Sequence, residues 1–194
     1  MKEDKQIWEN FKNEEDDALS YIYHENIDFL FCYGRKFSKD DYLILDVIQD
    51  LFYDLIRNRK KLGETDHIRL YLVKSFRRKL IRELERTKKQ SLVNASREIE
   101  ADIVFSVEEE LIQDESQNRK LQFIREGMQK LNAQQREILY YKFTCCFEYE
   151  QICEIMSISY DSARQLVSRA IQSLKKKLGN TDVYFMFIFK GFKS

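Results

Sequence analysis

Residues 147–178, FEYEQICEIMSISYDSARQLVSRAIQSLKKKL, predict two helices joined by a tight turn. One face of the first helix carries apolar residues at helical spacing: Tyr149, Ile152 and Ile155. Met156-Ser157-Ile158 is the predicted turn, and Ser159 follows it where its hydroxyl can cap the second helix. The turn has serine where glycine is often found, so the hairpin is predicted from the spacing and the cap.

The second helix of this pair separates an apolar stripe from a polar and cationic face. The stripe consists of Ala163, Leu166, Val167, Ala170 and Leu174. The opposite face consists of Asp161, Arg164, Gln165, Ser168, Arg169 and Gln172. Such a pair fits a helix-turn-helix that enters the major groove of DNA. The alternative is an ordinary αα-hairpin with a solvated face.

Composition limits the fold class and the kind of site. The chain has 194 residues, no proline, five glycines and 34% charged residues, which predicts an all-α protein of one or two domains. Its four cysteines show no C-x-x-C spacing, so we expect reduced thiols, no metal and no cofactor. No apolar run is long enough to span a membrane and the acidic amino terminus is not a signal peptide, so a cytoplasmic location is expected.

The net charge of zero conceals four blocks of opposite sign. Residues 1–56 have a balance of −8 and residues 57–92 one of +9. Residues 98–118 carry eight acids and no base, and residues 119–194 return to +6. Two basic blocks separated by an acidic one favour two surfaces that face nucleic acid, with ordinary solvated faces as the alternative.

The amino-terminal half predicts three helical stretches, over Gln6–Phe37, Asp41–Leu62 and Ile68–Lys89. Trp8 and Phe11 are expected to anchor a short first piece. The expected core side of the second stretch is Leu45, Ile48, Leu51, Phe52, Leu55 and Ile56. Its outer side carries an acidic stripe, Asp46, Gln49, Asp50 and Asp54, with Tyr53 beside it. In most proteins such a stripe is solvated surface.

The third stretch is the most basic part of the chain. An apolar ridge is predicted from Ile68, Leu72, Phe76, Leu80 and Leu84, and a cationic ridge from Lys74, Arg78, Arg82 and Arg86, with Arg77 and Lys89 beside it. Tyr71 lies one position off the apolar ridge. Cations beside an aromatic residue suit phosphates and a stacked or extruded base. The alternative is a core helix whose cationic stems extend to the solvent.

The order of these elements resembles a known family. An acidic helix containing Asp46-Val47-Ile48-Gln49-Asp50-Leu51-Phe52 precedes a loop and a basic helix that opens Tyr71-Leu72. A linker then leads to Leu131, to Gln135-Arg136-Glu137-Ile138-Leu139 and to the helix-turn-helix. Over residues 18–89 and 131–178 the chain resembles the extracytoplasmic-function group of bacterial RNA polymerase sigma factors, in the variety common in Bacteroidetes.

The resemblance implies two helical domains joined by an acidic linker. Residues 1–92 would form a sigma region 2-like domain for polymerase docking and the −10 element, and residues 93–120 the linker. Residues 121–180 would form a sigma region 4-like helix-turn-helix domain for the −35 element. Asn132 replaces a frequent proline at its start, where Asn132-Ala133-Gln134-Gln135 supplies a capping box. An apolar tail, residues 181–194, follows Gly179, the expected residue just past the last helix.

The resemblance also assigns roles to residues. Docking on the β′ clamp helices would use Asp46, Gln49 and Asp50. Recognition of the −10 element would use Tyr71, Lys74, Arg77, Arg78 and Arg82, next to the loop Gly63–His67. Tyr71 stands where most members have tryptophan, and Arg78 and Arg82 replace a common asparagine and aspartate. Recognition of the −35 element would use Ser162, Arg164, Gln165, Ser168, Arg169 and Lys176.

The expected function is promoter-specific transcription initiation together with core RNA polymerase. The expected partners are core polymerase (β′ clamp helices and β flap), promoter DNA and an anti-sigma factor. A helix-turn-helix regulator that acts without polymerase is the alternative. An enzyme is not expected, since the chain has two histidines, no glycine-rich phosphate loop and no metal-ligand cluster.

The tail contains seven consecutive apolar residues, Val183-Tyr184-Phe185-Met186-Phe187-Ile188-Phe189. An exposed segment of this kind would favour aggregation, so we expect it to fold back over apolar surface of the chain. The alternative is presentation to a partner protein.

Overall fold

The computed structural model describes residues 2–91 and 127–178, and all regular secondary structure within these ranges is helical. The predicted all-α class is therefore confirmed. The chain divides into two compact units, Met1–Ile99 and Glu100–Ser194. The predicted acidic linker, Gly179 and the apolar tail lie outside the described residues, so the expectations made for them stay predictions. Within the described ranges no helix has the length and apolar character that a membrane span needs.

The described part of the first unit contains four α-helices, α1 (Lys2–Lys12), α2 (Asp16–Gly34), α3 (Asp41–Asn58) and α4 (Ile68–Ser91). The stretch expected to be helical from Gln6 to Phe37 is thus two helices, because Glu14 between them adopts a positive φ of 71°. The side chain of Asp40 caps α3 by accepting from Leu43 N at 3.1 Å. After α3 the chain makes a short 3-10 turn, Arg59–Lys61, before the loop leading to α4.

The core of the first unit lies where α2, α3 and α4 meet. Its largest fully buried side chains belong to all four helices: Trp8, Phe11, Ile22, Leu30, Tyr33, Ile44, Ile48, Leu51, Leu72 and Phe76. Gly34 marks a close approach, because a Cβ there would lie 2.6 Å from Ile44 Cγ2 and 3.2 Å from Phe76 Cζ. Burying each large apolar side chain stabilises the fold by roughly 1.5–3 kcal/mol.

The prediction of the buried face of α3 was partly wrong. Leu45 and Ile56 were expected in the core, but they are 47% and 41% exposed. Ile44 and Val47 are buried in their place. Successive helical residues are about 100° apart around the axis. The face of α3 that α2 and α4 cover is therefore rotated slightly from the predicted face, toward Ile44 and Val47. The apolar ridge of α4 is buried as predicted from Ile68 to Leu80, whereas Leu84 is half-buried.

The second unit contains α5 (Ala133–Leu139), α6 (Tyr149–Met156) and α7 (Tyr160–Leu178). The predicted capping box at the start of α5 is confirmed: Gln135 N donates to Asn132 Oδ1 at 2.8 Å, and Asn132 N donates to Gln135 Oε1 at 3.2 Å. A π-helical turn, Tyr140–Thr144, follows α5 directly. This wider turn had no signal in the sequence, and both tyrosines that open it are buried.

Candidate nucleic-acid interface

The turn between α6 and α7 is tight and its backbone is unusual. Ser157 ends α6 in the left-handed conformation, with φ 56° and ψ 45°. Ile158 N donates to Cys153 O at 3.2 Å and closes the turn. Glycine is the preferred residue at this position because a Cβ is disfavoured at positive φ. Serine in its place therefore costs conformational free energy. The chain nevertheless adopts the predicted helix-turn-helix.

Both helices of this pair are capped by their own side chains. Ser159 Oγ accepts from Ser162 N at 3.2 Å, which confirms Ser159 as the N-cap of α7. At the start of α6, Glu148 N donates to Gln151 Oε1 at 2.8 Å, a capping interaction that the sequence analysis missed. A Glu followed three residues later by Gln was the available signal, and it was overlooked because Ser and Thr are the usual first residues of such a box.

Aromatic rings join the beginnings of α6 and α7. Tyr149 and Tyr160 lie edge to face with ring centroids 5.6 Å apart. Lys142 Nζ lies 4.8 Å from the ring centroid of Tyr149 and 3.0 Å from Glu148 Oε2. The ring contact ties the beginning of α7 to α6, at the end that a helix-turn-helix directs toward base edges.

The buried side of α7 follows the predicted stripe. Ala163, Val167, Ala170 and Leu174 are buried, and Leu166 is half-buried. Small side chains at positions 163 and 170 permit close packing of α7 against α5 and α6. The helix is therefore held along one side while its opposite side is open to solvent.

The open side of α7 brings the predicted reading residues together. All six residues assigned to it are exposed: Ser162, Arg164, Gln165, Ser168, Arg169 and Lys176. Arg169 Nη2 donates to Gln165 Oε1 at 3.3 Å, and the Arg164 guanidinium lies 6.0 Å from the Tyr160 ring centroid. Ser162 also serves the helix start, because its hydroxyl accepts from Ser159 Oγ at 2.8 Å. This face offers the donor groups that read guanine and adenine in the major groove.

The second candidate surface is the cationic side of α4. Lys74, Arg78 and Arg82 are exposed and Arg77 is half-buried, so the cations line the helix outside its apolar ridge. Tyr71 is half-buried, with its ring centroid 4.9 Å from that of Trp8. These residues place one aromatic ring near the start of α4 and positive charge further along the helix, which are the groups that a surface for phosphates and a base requires.

The third surface is the outer side of α3. Asp46, Gln49 and Asp50 are exposed, as the predicted stripe requires. Asp54, the last member of the stripe, instead accepts from Lys79 Nζ at 2.6 Å and ties α3 to α4. The exposed apolar residues on α3 are Tyr42 (84%), Leu45, Tyr53 (61%) and Ile56. This face was predicted to be an acidic stripe, but in the structure it carries acids and large apolar side chains together.

Within the described ranges, Asp41 and Cys153 have shifted pKa values, each with a local cause. The hydrogen bond that Arg35 donates to Asp41 holds the pKa of that carboxyl below its ordinary value. Burial, with the Glu150 charge second, raises the pKa of the Cys153 thiol. Among the residues that the structure describes, no group of His, Cys, Asp and Glu side chains is placed to hold a metal ion.

Comparison with known families gives a match that covers this helix-turn-helix. Residues 122–174 match the family model described as sigma-70, region 4. This part of the chain is therefore similar to sigma-70 region 4. No curated protein sequence matches the chain.

The fold of the chain is similar to that of a solved structure. The chain is similar to CnrH in complex with the cytosolic domain of CnrY, with a TM-score of 0.60 and 15% sequence identity over 90% of this chain and 96% of that chain. At that identity the likeness shows the fold. Together with the region 4 match it confirms the resemblance to an extracytoplasmic-function, sigma-70-like factor. The Bacteroidetes type stays a prediction.

Proposed function

We propose that this chain is a transcription initiation factor that binds core RNA polymerase and directs it to promoters through −10 and −35 elements. The exposed face of α7 on a sigma-70 region 4 domain carries the proposal. A helix-turn-helix regulator acting alone would use only the second unit, whereas the similarity to a sigma factor fold extends over 90% of the chain. The regulator is therefore the less favoured candidate.

The −35 element would be read by α7. Arg164 and Arg169 can donate two hydrogen bonds to guanine O6 and N7, and Gln165 can pair with adenine. Ser168 is one helical turn from Arg164, so the four side chains can address one groove. Lys176, near the end of the helix, would contact phosphate and add affinity without sequence information.

The −10 element would be bound by α4 and the loop before it. Lys74, Arg77, Arg78 and Arg82 would neutralise phosphates of the separated strand. Tyr71 would stack on an extruded base, an interaction worth ~1–3 kcal/mol per base for aromatic residues. The free energy gained would offset the few kcal/mol needed to unstack a base.

The outer side of α3 would dock on polymerase. Asp46, Gln49 and Asp50 supply charge and hydrogen-bonding groups, and Tyr53 and Leu45 supply apolar contact area. An interface with a few large apolar side chains and surrounding charges has the composition of protein–protein contact surfaces. The β′ clamp helices are the proposed partner for this face, and the β flap for the second unit.

An anti-sigma factor is the proposed inhibitory partner. CnrH, which has the same fold, was solved with the cytosolic domain of CnrY bound. We place the chain in the cytoplasm, where polymerase and promoters are found, and we assign it no catalytic activity of its own.

Run-off transcription tests the proposal directly. Core polymerase is combined with the purified chain on fragments of the source genome, and the products are compared with those of core polymerase alone. We expect discrete transcripts that require the chain and that start downstream of a shared pair of −35 and −10 sequences. A chain that binds duplex DNA by itself but yields no such transcripts would favour the regulator instead.

A further inference from the structure

Helix α1 contacts the loop Gly63–His67, which is far from it in the sequence. Trp8 Nε1 donates to Gly63 O at 2.9 Å. Lys5 Nζ lies 3.9 Å from Glu64 Oε2, an exposed ion pair on the same loop. Because Trp8 is only 1% exposed, the surrounding core restricts its indole, and the hydrogen bond to Gly63 O in turn restricts the loop.

A second contact from α1 supplies the cap of α4. Asp4 Oδ2 accepts from Ile68 N at 2.9 Å, at the first residue of α4. The first N–H groups of a helix have no partner within the helix, and the helix dipole makes this end positive. The Asp4 carboxylate therefore has two effects: it accepts the hydrogen bond of the Ile68 N–H, and its negative charge stabilises the positive end of the α4 dipole. The loop and the helix that follows it are both held by α1.

The third contact reaches the aromatic residue of α4. The Trp8 ring packs against Tyr71, with centroids 4.9 Å apart and an interplanar angle of 53°. The Trp8 ring also packs against Phe11 of the same helix, with centroids 5.4 Å apart. One indole thus contacts the loop through its N–H and Tyr71 through its ring.

We propose that α1 is a brace for DNA strand separation, and that Asp4 and Trp8 are its positioning residues. The proposal rests on the function proposed above, in which Tyr71 and the loop bind an unpaired strand. Extruding a base is costly, and a binding surface that is already ordered loses less entropy when it captures the base. Asp4 and Trp8 act through the loop and Tyr71 and need no contact with DNA.

The test compares two templates that differ only in base pairing. Holoenzyme initiates on a duplex promoter and on the same promoter with the −10 region unpaired by mismatches. Trp8→Phe keeps a ring beside Tyr71 and removes the donor to Gly63 O, whereas Asp4→Ala removes the acceptor for Ile68 N. Asp4→Asn keeps an acceptor oxygen and serves as the rescue variant. Gln6→Ala is the matched control, because its side chain bonds to Asn10 of the same exposed helix face.

We expect Trp8→Phe and Asp4→Ala to lower initiation on the duplex about tenfold, which corresponds to ~1.4 kcal/mol. On the unpaired template their initiation stays within about twofold of the wild type. Asp4→Asn and Gln6→Ala should resemble the wild type on both. In the free full-length chain, the Ile68 amide should exchange its hydrogen faster in Asp4→Ala.

Three results would overturn the brace. Equal losses on both templates would make α1 only a structural support, and unchanged duplex initiation would remove the role entirely. Unchanged exchange of the Ile68 amide would show that Asp4 does not hold the start of α4. If the wild-type chain initiated on neither template, the proposed function would fail and the brace with it, a result distinct from the other three.

Discussion

At the scale of single residues, two arginines on the proposed reading face of α7 already contact neighbouring side chains of the same helix. Arg164 lies over Tyr160 and Arg169 is hydrogen-bonded to Gln165. Immobilising a long side chain at an interface costs roughly 0.5–1.5 kcal/mol. Contacts that already restrict the two arginines would reduce this cost, so we expect Tyr160 and Gln165 to assist recognition as neighbours of Arg164 and Arg169.

We expect Arg164→Ala and Arg169→Ala each to remove most promoter-specific transcription. Losing a bidentate contact to guanine costs ~1–3 kcal/mol of discrimination. Run-off transcription on the wild-type promoter and on promoters with single −35 substitutions measures the effect. Association with core polymerase should be unchanged.

Lys176→Ala is the matched control on the same exposed side. It should weaken binding evenly across sequences and reduce the salt dependence by about one phosphate contact. Unchanged promoter preference in both arginine variants would show that α7 presents a different face to DNA.

Ser157→Gly should stabilise the second unit. A residue with a Cβ pays roughly 1–2 kcal/mol in the left-handed conformation, and glycine recovers part of this after its larger loss of backbone entropy. The free energy of unfolding from urea titration should rise by ~0.5–1 kcal/mol. Ser157→Val, a β-branched residue at positive φ, should lower it. A lower stability for the glycine variant would mean that the Ser157 side chain contributes more than its conformation costs.

At the scale of elements, sequence periodicity predicted where the helices lie better than it predicted which face of each helix packs against the others. The N-cap of α7 and the capping box of α5 are local and were both found from the sequence. The choice of Leu45 and Ile56 for the core was wrong because helical spacing defines stripes, and only the packing of α2 and α4 decides which stripe is covered. The bond from Trp8 to Gly63 joins residues 55 apart in the sequence, so no local pattern could reveal it.

The outer side of α3 gives a prediction for one helix face. Asp46→Lys and Asp50→Lys should each weaken association with core polymerase by roughly tenfold or more, because like charges at an interface cost several kcal/mol. Stability should change little, since exposed substitutions usually lie within about 0.5 kcal/mol. A pull-down with core polymerase measures the effect.

Asp28→Lys is the control for charge alone, because it makes the same change at an exposed position on α2. Equal capture of polymerase by the α3 variants and the α2 variant would remove the docking role from α3.

At the scale of the whole molecule, the alternating charge blocks fit the two DNA-facing surfaces proposed for the two units. The block of +9 over residues 57–92 includes α4, and the block of +6 over residues 119–194 includes α7. Each proposed surface alone would offer few contacts to bases. Linking two such modules raises overall affinity by ~10²–10⁴, provided that both sites can be engaged at once.

Inserting five base pairs between the −35 and −10 elements should therefore lower initiation strongly. DNA turns once in about 10–10.5 base pairs, so the insertion moves the two elements to opposite sides of the duplex. We expect a loss approaching the ~10²–10⁴ gained by linkage, measured as run-off product. The same insertion upstream of the −35 element should have no effect. Full activity with the altered spacing would mean that only one element is read.

The buried indole of Trp8 also makes this protein its own optical probe. It is the sole tryptophan of the chain, so emission excited selectively from indole reports the first unit alone. Circular dichroism of the backbone reports the helices of both units. Heating the intact chain while recording both signals would show whether the two units melt together or in sequence. A purified sample without any label would thus reveal how strongly the unit proposed to open DNA is coupled to the unit proposed to read it.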